Sequence, residues 1–187
     1  NEKTLFNQAF IRLNNDNFFF QIGKKSNSPK FNYLSSGSFV ESTNTSPIPK
    51  FSFGNNDYNK MSFANFKFQY LFKISHGLIY SSEYINNPFL HEKSFSIKKE
   101  ISEKSYFEIG LDHMVIWAGE TIQHGRQPAG VRDFFRIIFA RPGGKNSIKQ
   151  EQGNSLGNHL GAWSISYKKK YKDKKFSLYL EHPFEDE

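Results

Sequence analysis

Cysteine is absent from the chain's 187 residues, which excludes a disulfide scaffold, a thiolate metal site and a cysteine nucleophile. No apolar run approaches the ~18 residues that a membrane-spanning helix needs, so a helical membrane protein is excluded as well. The opening stretch Asn1–Asn7 lacks the basic, apolar and cleavage regions of a secretory signal, and no signal peptide is expected there. Tryptophan and methionine are sparse, at 2 residues each.

Phenylalanine is the abundant residue. With 21 Phe and 9 Tyr the aromatic share reaches 17%, although the hydrophobic fraction is only 37% and mean hydropathy is −0.65. Strands that alternate an aromatic residue with Lys, Ser or Asn produce this combination, so the composition leans towards an all-β fold. Lysine and arginine total 25 against 18 acidic residues, a net charge of +7. The length predicts a single domain, residues 1–187.

Period-two alternation is clearest over residues 62–74. Phe66, Phe68, Tyr70, Phe72 and Ile74 fall on one face, with Lys67, Gln69 and Lys73 on the other. Residues 105–117 repeat it, setting Phe107, Ile109, Leu111, His113, Val115 and Trp117 against Glu108, Gly110 and Asp112. Both runs exceed the usual five or six residues of a soluble strand. Long alternating strands separated by turn residues are what a membrane barrel requires. Trp163, Ile165 and Tyr167, a turn at Lys170–Lys174, and Phe176, Leu178, Leu180 and His182 predict a hairpin. Further strands are predicted at Phe18–Ile22, Ser36–Val40, Leu78–Tyr84 and Phe95–Ile101. One segment departs from the pattern: Val131, Phe134, Phe135, Ile138 and Phe139 follow i, i+3, i+4, i+7, i+8, which predicts a short helix over about residues 131–140. The flanking stretches 118–130 and 142–159 read as long loops.

Catalytic chemistry finds little footing. Glu108 and Asp112 share a strand face, but four residues at ~3.3 Å rise separate their backbones by ~13 Å. Glycoside hydrolysis needs carboxyl groups ~5–5.5 Å or ~6.5–9.5 Å apart. The histidines His76, His91, His113, His124, His159 and His182 contain no i, i+2 or i, i+4 pair, so no metal site and no cofactor is expected. No G-x-S-x-G elbow occurs, and the glycines at Gly153, Gly157 and Gly161 do not match phosphate-binding spacing. Lys168, Lys169, Lys170, Lys172, Lys174 and Lys175 straddle the hairpin tip. There they read as a solvated turn or a contact with anionic head groups, not as a nucleic-acid site.

Eight stretches in order carry a family resemblance: Leu34-Ser-Ser-Gly-Ser-Phe39, Pro47-Ile-Pro-Lys50, Ser75-His-Gly77, Asn87-Pro-Phe-Leu-His-Glu-Lys-Ser-Phe95, Gly110-Leu-Asp-His-Met-Val-Ile-Trp-Ala-Gly119, Asp133-Phe-Phe-Arg136, Leu156-Gly-Asn-His-Leu-Gly-Ala-Trp163 and His182-Pro-Phe-Glu-Asp186. With them the chain resembles the capsule assembly Wzi family of Gram-negative outer-membrane β-barrel proteins. It departs at Ser46, where an arginine is usual. The resemblance implies an all-β fold, a portion of a large antiparallel outer-membrane β-barrel with one short helix in a long loop. Because the family domain is longer, residues 1–187 would be an internal portion of that barrel. It further implies a monomeric, non-enzymatic, lectin-like protein. Its partners would be capsular or other surface polysaccharide and outer-membrane lipid, with no nucleic acid.

Sugar recognition calls for aromatic faces and planar polar groups, and guanidinium pairs bidentately with an acidic sugar's carboxylate. Trp163, His159, Asn158, Arg126, His124, Arg136 and Trp117 are the candidate polysaccharide-binding residues. Both tryptophans also fit an aromatic girdle at a membrane interface, and Arg132, Arg136 and Arg141 also fit ion pairs inside a barrel. The competing architecture is a soluble secreted β-sandwich, either carbohydrate-binding or a glycoside hydrolase. It requires the same alternation, with the Phe face packed against a second sheet.

Overall fold

The computed structural model describes residues 8–26, 47–64, 66–122, 125–139 and 157–185. In chain order these form β1 (Ala9–Asn14), β2 (Phe18–Lys24), β3 (Pro49–Asn55), β4 (Asn59–Phe63), β5 (Phe66–Leu78), β6 (Ile85–Asn86), β7 (Phe89–Ser102), β8 (Ser105–Trp117), β9 (Glu120–Thr121), β10 (Gly125–Arg126), helix α1 (Val131–Ile138), β11 (Gly157–Tyr171) and β12 (Lys174–Glu185). The main sheet follows the order β1-β2-β3-β5-β7-β8-β11-β12, with β4 paired to β5. Every neighbouring pair in it is antiparallel. Strands β6, β9 and β10 make a small second sheet. The fold is therefore all-β with one short helix. Among the described residues no helix is long and apolar enough to cross a membrane.

The expected periodicities form strands, with three adjustments. The 62–74 run is split by a turn at Ala64, which takes a left-handed backbone (φ 46°), so its first residues belong to β4 and the rest to β5. The strand expected at Leu78–Tyr84 is not formed. Beyond Leu78, the Ser82 hydroxyl accepts the Tyr84 and Ile85 amides, while Ser81 bonds to the Asn87 amide. Serine side chains thus draw the backbone into a compact turn. The loop expected over 142–159 gives way to β11 at Gly157. The segment Ser36–Val40 lies outside the described residues. The helix expected near 131–140 is present as α1, and Gly130 N–H donates to the Asp133 carboxylate at 3.1 Å to close its first turn.

Register sorts the side chains into two unlike faces. One row runs Leu13, Phe20, Phe53, Ile74, Lys93, His113, Gly161, Phe184 across the eight strands. Phe20, Phe51, Phe53, Phe95, Ile109, Leu111, Leu178 and Leu180 on this face are all exposed. The opposite face carries Gln21, Lys50, Ser52, Ser75, Ser96, Glu108, Ser164 and Ser166, and all of these are buried. A globular protein in water does the reverse. The two ends of the sheet differ as well. Residues 15–17, 103–104 and 172–173 and the turn at Ala64 join strands tightly at one end, whereas at the other the chain is longer between β2 and β3, between β5 and β7 and between β8 and β11.

Close approach of β3 and β5 depends on Gly77. A Cβ there would stand 2.5 Å from the Pro49 carbonyl oxygen and 2.8 Å from Lys50 Cβ. Gly77→Ala should destabilise the full-length protein by about 1–3 kcal/mol through overpacking, read as a lower denaturant midpoint. An unchanged midpoint would show that the strands have room to part.

Candidate functional site

The polar face is knit by side chains from separated strands. Lys50 on β3 donates to Glu92 on β7 at 2.5 Å, with both side chains nearly buried. Between them Ser52 and Ser75 share a 2.9 Å hydroxyl contact. Tyr58, in the turn ahead of β4, reaches over β5 and β7 and donates to Glu108 on β8 at 2.5 Å. Lys98 stands 3.9 Å from its ring centroid. Three inter-strand steps of ~4.8 Å make ~14 Å along a flat sheet, so Tyr58 folds across the polar face to make this bond. Burial, then the Glu108 carboxylate, raises its hydroxyl above the usual phenol range, keeping it a neutral donor. Nearer the tight turns, Gln69 donates to Glu100 at 2.7 Å. Tyr179 donates to Glu181 at 2.6 Å on β12. The acids Glu92, Glu100, Glu108 and Glu181 are thereby committed to structural partners.

On the apolar face, the end with long connections differs from the rest. There the register sets His76 opposite His91 and places His91 opposite Val115, which faces His159. His113 Nε2 and His159 Nδ1 are 3.0 Å apart. Helix α1 covers the part of this patch around His76 and His91. Phe134 meets His76 edge-on at 5.1 Å and lies 6.2 Å from Trp117. Ile137 enters a cluster with Val115, Trp117 and Ala118, flanked by Phe89. Lys93 donates to the carbonyl oxygen of Ile138 at 2.6 Å, placing a cation on the helix's negative end. The helix thus supplies apolar cover to imidazoles that interrupt an otherwise apolar wall. Among the described residues no group of three or more His, Cys, Asp or Glu side chains could hold a metal ion.

The six candidate polysaccharide residues that fall among the described residues are dispersed. Trp117 is buried against Ile137 of α1, and His159 is buried beside His113. Trp163 lies on the apolar face opposite Leu111, stacked on His182 at 5.4 Å and 9°. Asn158 is exposed on the opposite face of β11, and Arg126 is exposed on β10. Arg136 on α1 approaches Asp133 at 3.7 Å. His124 lies outside the described residues. Sequence reasoning missed Tyr58, the Lys50–Glu92 pair and the Lys93 cap. Each joins elements far apart in the chain, and only strand register reveals it. The histidine patch left a faint trace, as imidazoles at apolar positions of long alternating runs.

A protein-family model described as capsule assembly protein Wzi matches residues 1–187. The chain belongs to that family. No curated protein and no solved structure matches it. For this Wzi-family chain, the match agrees with the ordered stretches from Leu34 to Asp186, and capsule assembly is the role it assigns.

Removing the Lys93 ammonium tests the docking of α1. A hydrogen bond to a charged group contributes about 1.5–3 kcal/mol. Lys93→Met should therefore speed tryptic cleavage at Arg132 and Arg136 about tenfold or more. An unchanged cleavage rate would mean that apolar contacts alone hold the helix.

Proposed function

We propose that the protein is a non-enzymatic outer-membrane β-barrel protein that binds or organises capsular polysaccharide at the cell surface. In this reading residues 1–187 form an internal portion of the barrel wall. The carrying observation is the inverted sheet, with Phe and Leu exposed on one face and Ser, Lys and Glu buried on the other. A barrel wall between lipid and an aqueous interior needs that arrangement. Tight turns at one end and long connections at the other support the same reading, since outer-membrane barrels keep short periplasmic turns and longer external loops.

Family membership supports the capsule role. Exposed Arg126 and Asn158 sit at the end with long connections, where a surface polysaccharide would arrive. Burial of Trp117 and His159 assigns them to packing, which leaves Arg126 and Asn158 as the members of the candidate set best placed to meet sugar. Arginine suits the carboxylate of an acidic polysaccharide. The absence of bond chemistry is supported by the carboxylates of Glu92, Glu100, Glu108 and Glu181, each engaged by a neighbouring side chain.

The test uses the full reading frame in a capsulated Gram-negative host lacking its own copy. Arg126→Ala combined with Asn158→Ala should leave the protein in the outer-membrane fraction yet release capsule into the medium. The affinity of the purified protein for that polysaccharide should fall roughly ten- to hundredfold, as expected for losing one charged hydrogen bond. Wild-type protein incubated with the polysaccharide should generate no new reducing ends. Undiminished capsule retention would overturn the assignment of sugar contact, and new reducing ends would make the protein a hydrolase.

A further inference from the structure

Helix α1 packs on the apolar face of the sheet, as its strand contacts among the described residues show. Phe89, His91, Lys93, Val115, Trp117 and His76 all belong to that face by register. The contact lies just beyond Ile74, Phe95 and Leu111, towards the long connections. At about 100° per residue, Val131, Phe135 and Phe139 fall within one ~80° stripe, beside the wall-facing Phe134 and Ile137. That stripe is exposed: Val131 is 76%, Phe135 54% and Phe139 66% accessible. Arg132 and Arg136 follow it on the wheel, and Asp133 follows them, so one side of the helix is apolar and the next is charged.

We infer that α1 is an interfacial helix on the outside of the barrel wall, with Val131, Phe135 and Phe139 in the acyl-chain boundary of the membrane. Arg132 and Arg136 then lie at the level of its anionic head groups. This rests on reading the apolar face as lipid-facing. Three features select lipid as the occupant. The helix's C-terminal end meets Lys93, two residues along β7 from the exposed Phe95 of the apolar band. Its basic border complements anionic head groups. Amphipathic helices with Phe on one side and Arg on the other bury the apolar side in the interface plane. The same placement accounts for His76 and His91, since Phe134 of the helix packs against both rings and screens them from lipid, where exposed polar groups are costly.

The test uses single-cysteine variants of the full-length protein carrying a bimane label in phosphatidylcholine–phosphatidylglycerol vesicles with brominated acyl chains. Leu111→Cys marks the band, Asp173→Cys marks the water-exposed tight turn, and Phe135→Cys reports on the helix. Bromolipid should quench the label at 135 as it does at 111, and spare the label at 173. Val131→Cys lies on the same stripe at a still more exposed position and gives the same readout in a second variant. Quenching at 111 without quenching at 131 or 135 would overturn the interfacial helix while leaving the lipid-facing wall intact. Emission at 135 that is blue-shifted yet unquenched would show that protein, not lipid, covers the stripe, and would overturn it too. No quenching at 111 would remove the lipid-facing wall itself, and the inference with it.

Discussion

The structure depends on one constraint: in long, register-locked strands, alternate side chains must satisfy two different surroundings at once. A slip of one residue would exchange the faces along a whole strand, putting Ser52, Ser75 and Ser96 where Phe53, Ile74 and Phe95 now stand. Cross-strand pairs oppose that slip. Lys50 and Glu92 meet from strands on either side of β5, and Tyr58 finds Glu108 only if β4, β5, β7 and β8 keep their offsets. Breaking such a pair by removing one partner is far more costly than its net contribution, because the other is left buried and uncompensated. The polar network therefore acts chiefly as a register device.

The apolar face solves a different problem. It is smooth and hydrophobic over most of its extent, but towards the long connections it carries four imidazoles and Lys93. Helix α1 resolves the conflict locally. Phe134 covers the rings of His76 and His91, His113 and His159 pair with each other, and the helix's C-terminal carbonyl takes the Lys93 donor. A segment of eight residues is too short to be stable alone, so α1 depends on this wall as much as the wall depends on it. In the proposed orientation, the end of the sheet with the long connections, where α1 and the exposed Arg126 and Asn158 also lie, is the end available for capsule assembly, the family role.

Much of the fold was legible in the residues themselves. The faces of 66–74 and 105–117, the terminal hairpin and the helix at 131–138 all follow from periodicity, because each face meets a uniform environment along its length. Where local chemistry overrides periodicity, reading along the chain failed: Ser81 and Ser82 capture the backbone after Leu78, and Ala64 turns inside an alternating run. The candidate site was less legible for a different reason. Trp117 and His159 have the right side chains for sugar, but both are buried, Trp117 against Ile137 of α1 and His159 beside His113. Asn158, one residue from His159, points to the other face because a strand alternates. Which aromatic residues remain accessible is decided by tertiary cover, and the spacing of residues along the chain does not encode it.

The central claim is that lipid lies against the face carrying Phe, Ile and Leu, while water lies against the face carrying Ser, Lys and Glu. A nitroxide scan of full-length protein in a bilayer, one position at a time from Phe107 to Asp112, tests it most directly. Collision with dissolved oxygen should peak at 107, 109 and 111 and fall at 108, 110 and 112, with a water-soluble relaxant giving low access at the oxygen maxima. Odd positions shielded from both relaxants would mean a dry core between two sheets, contradicting the barrel wall in favour of a soluble sandwich.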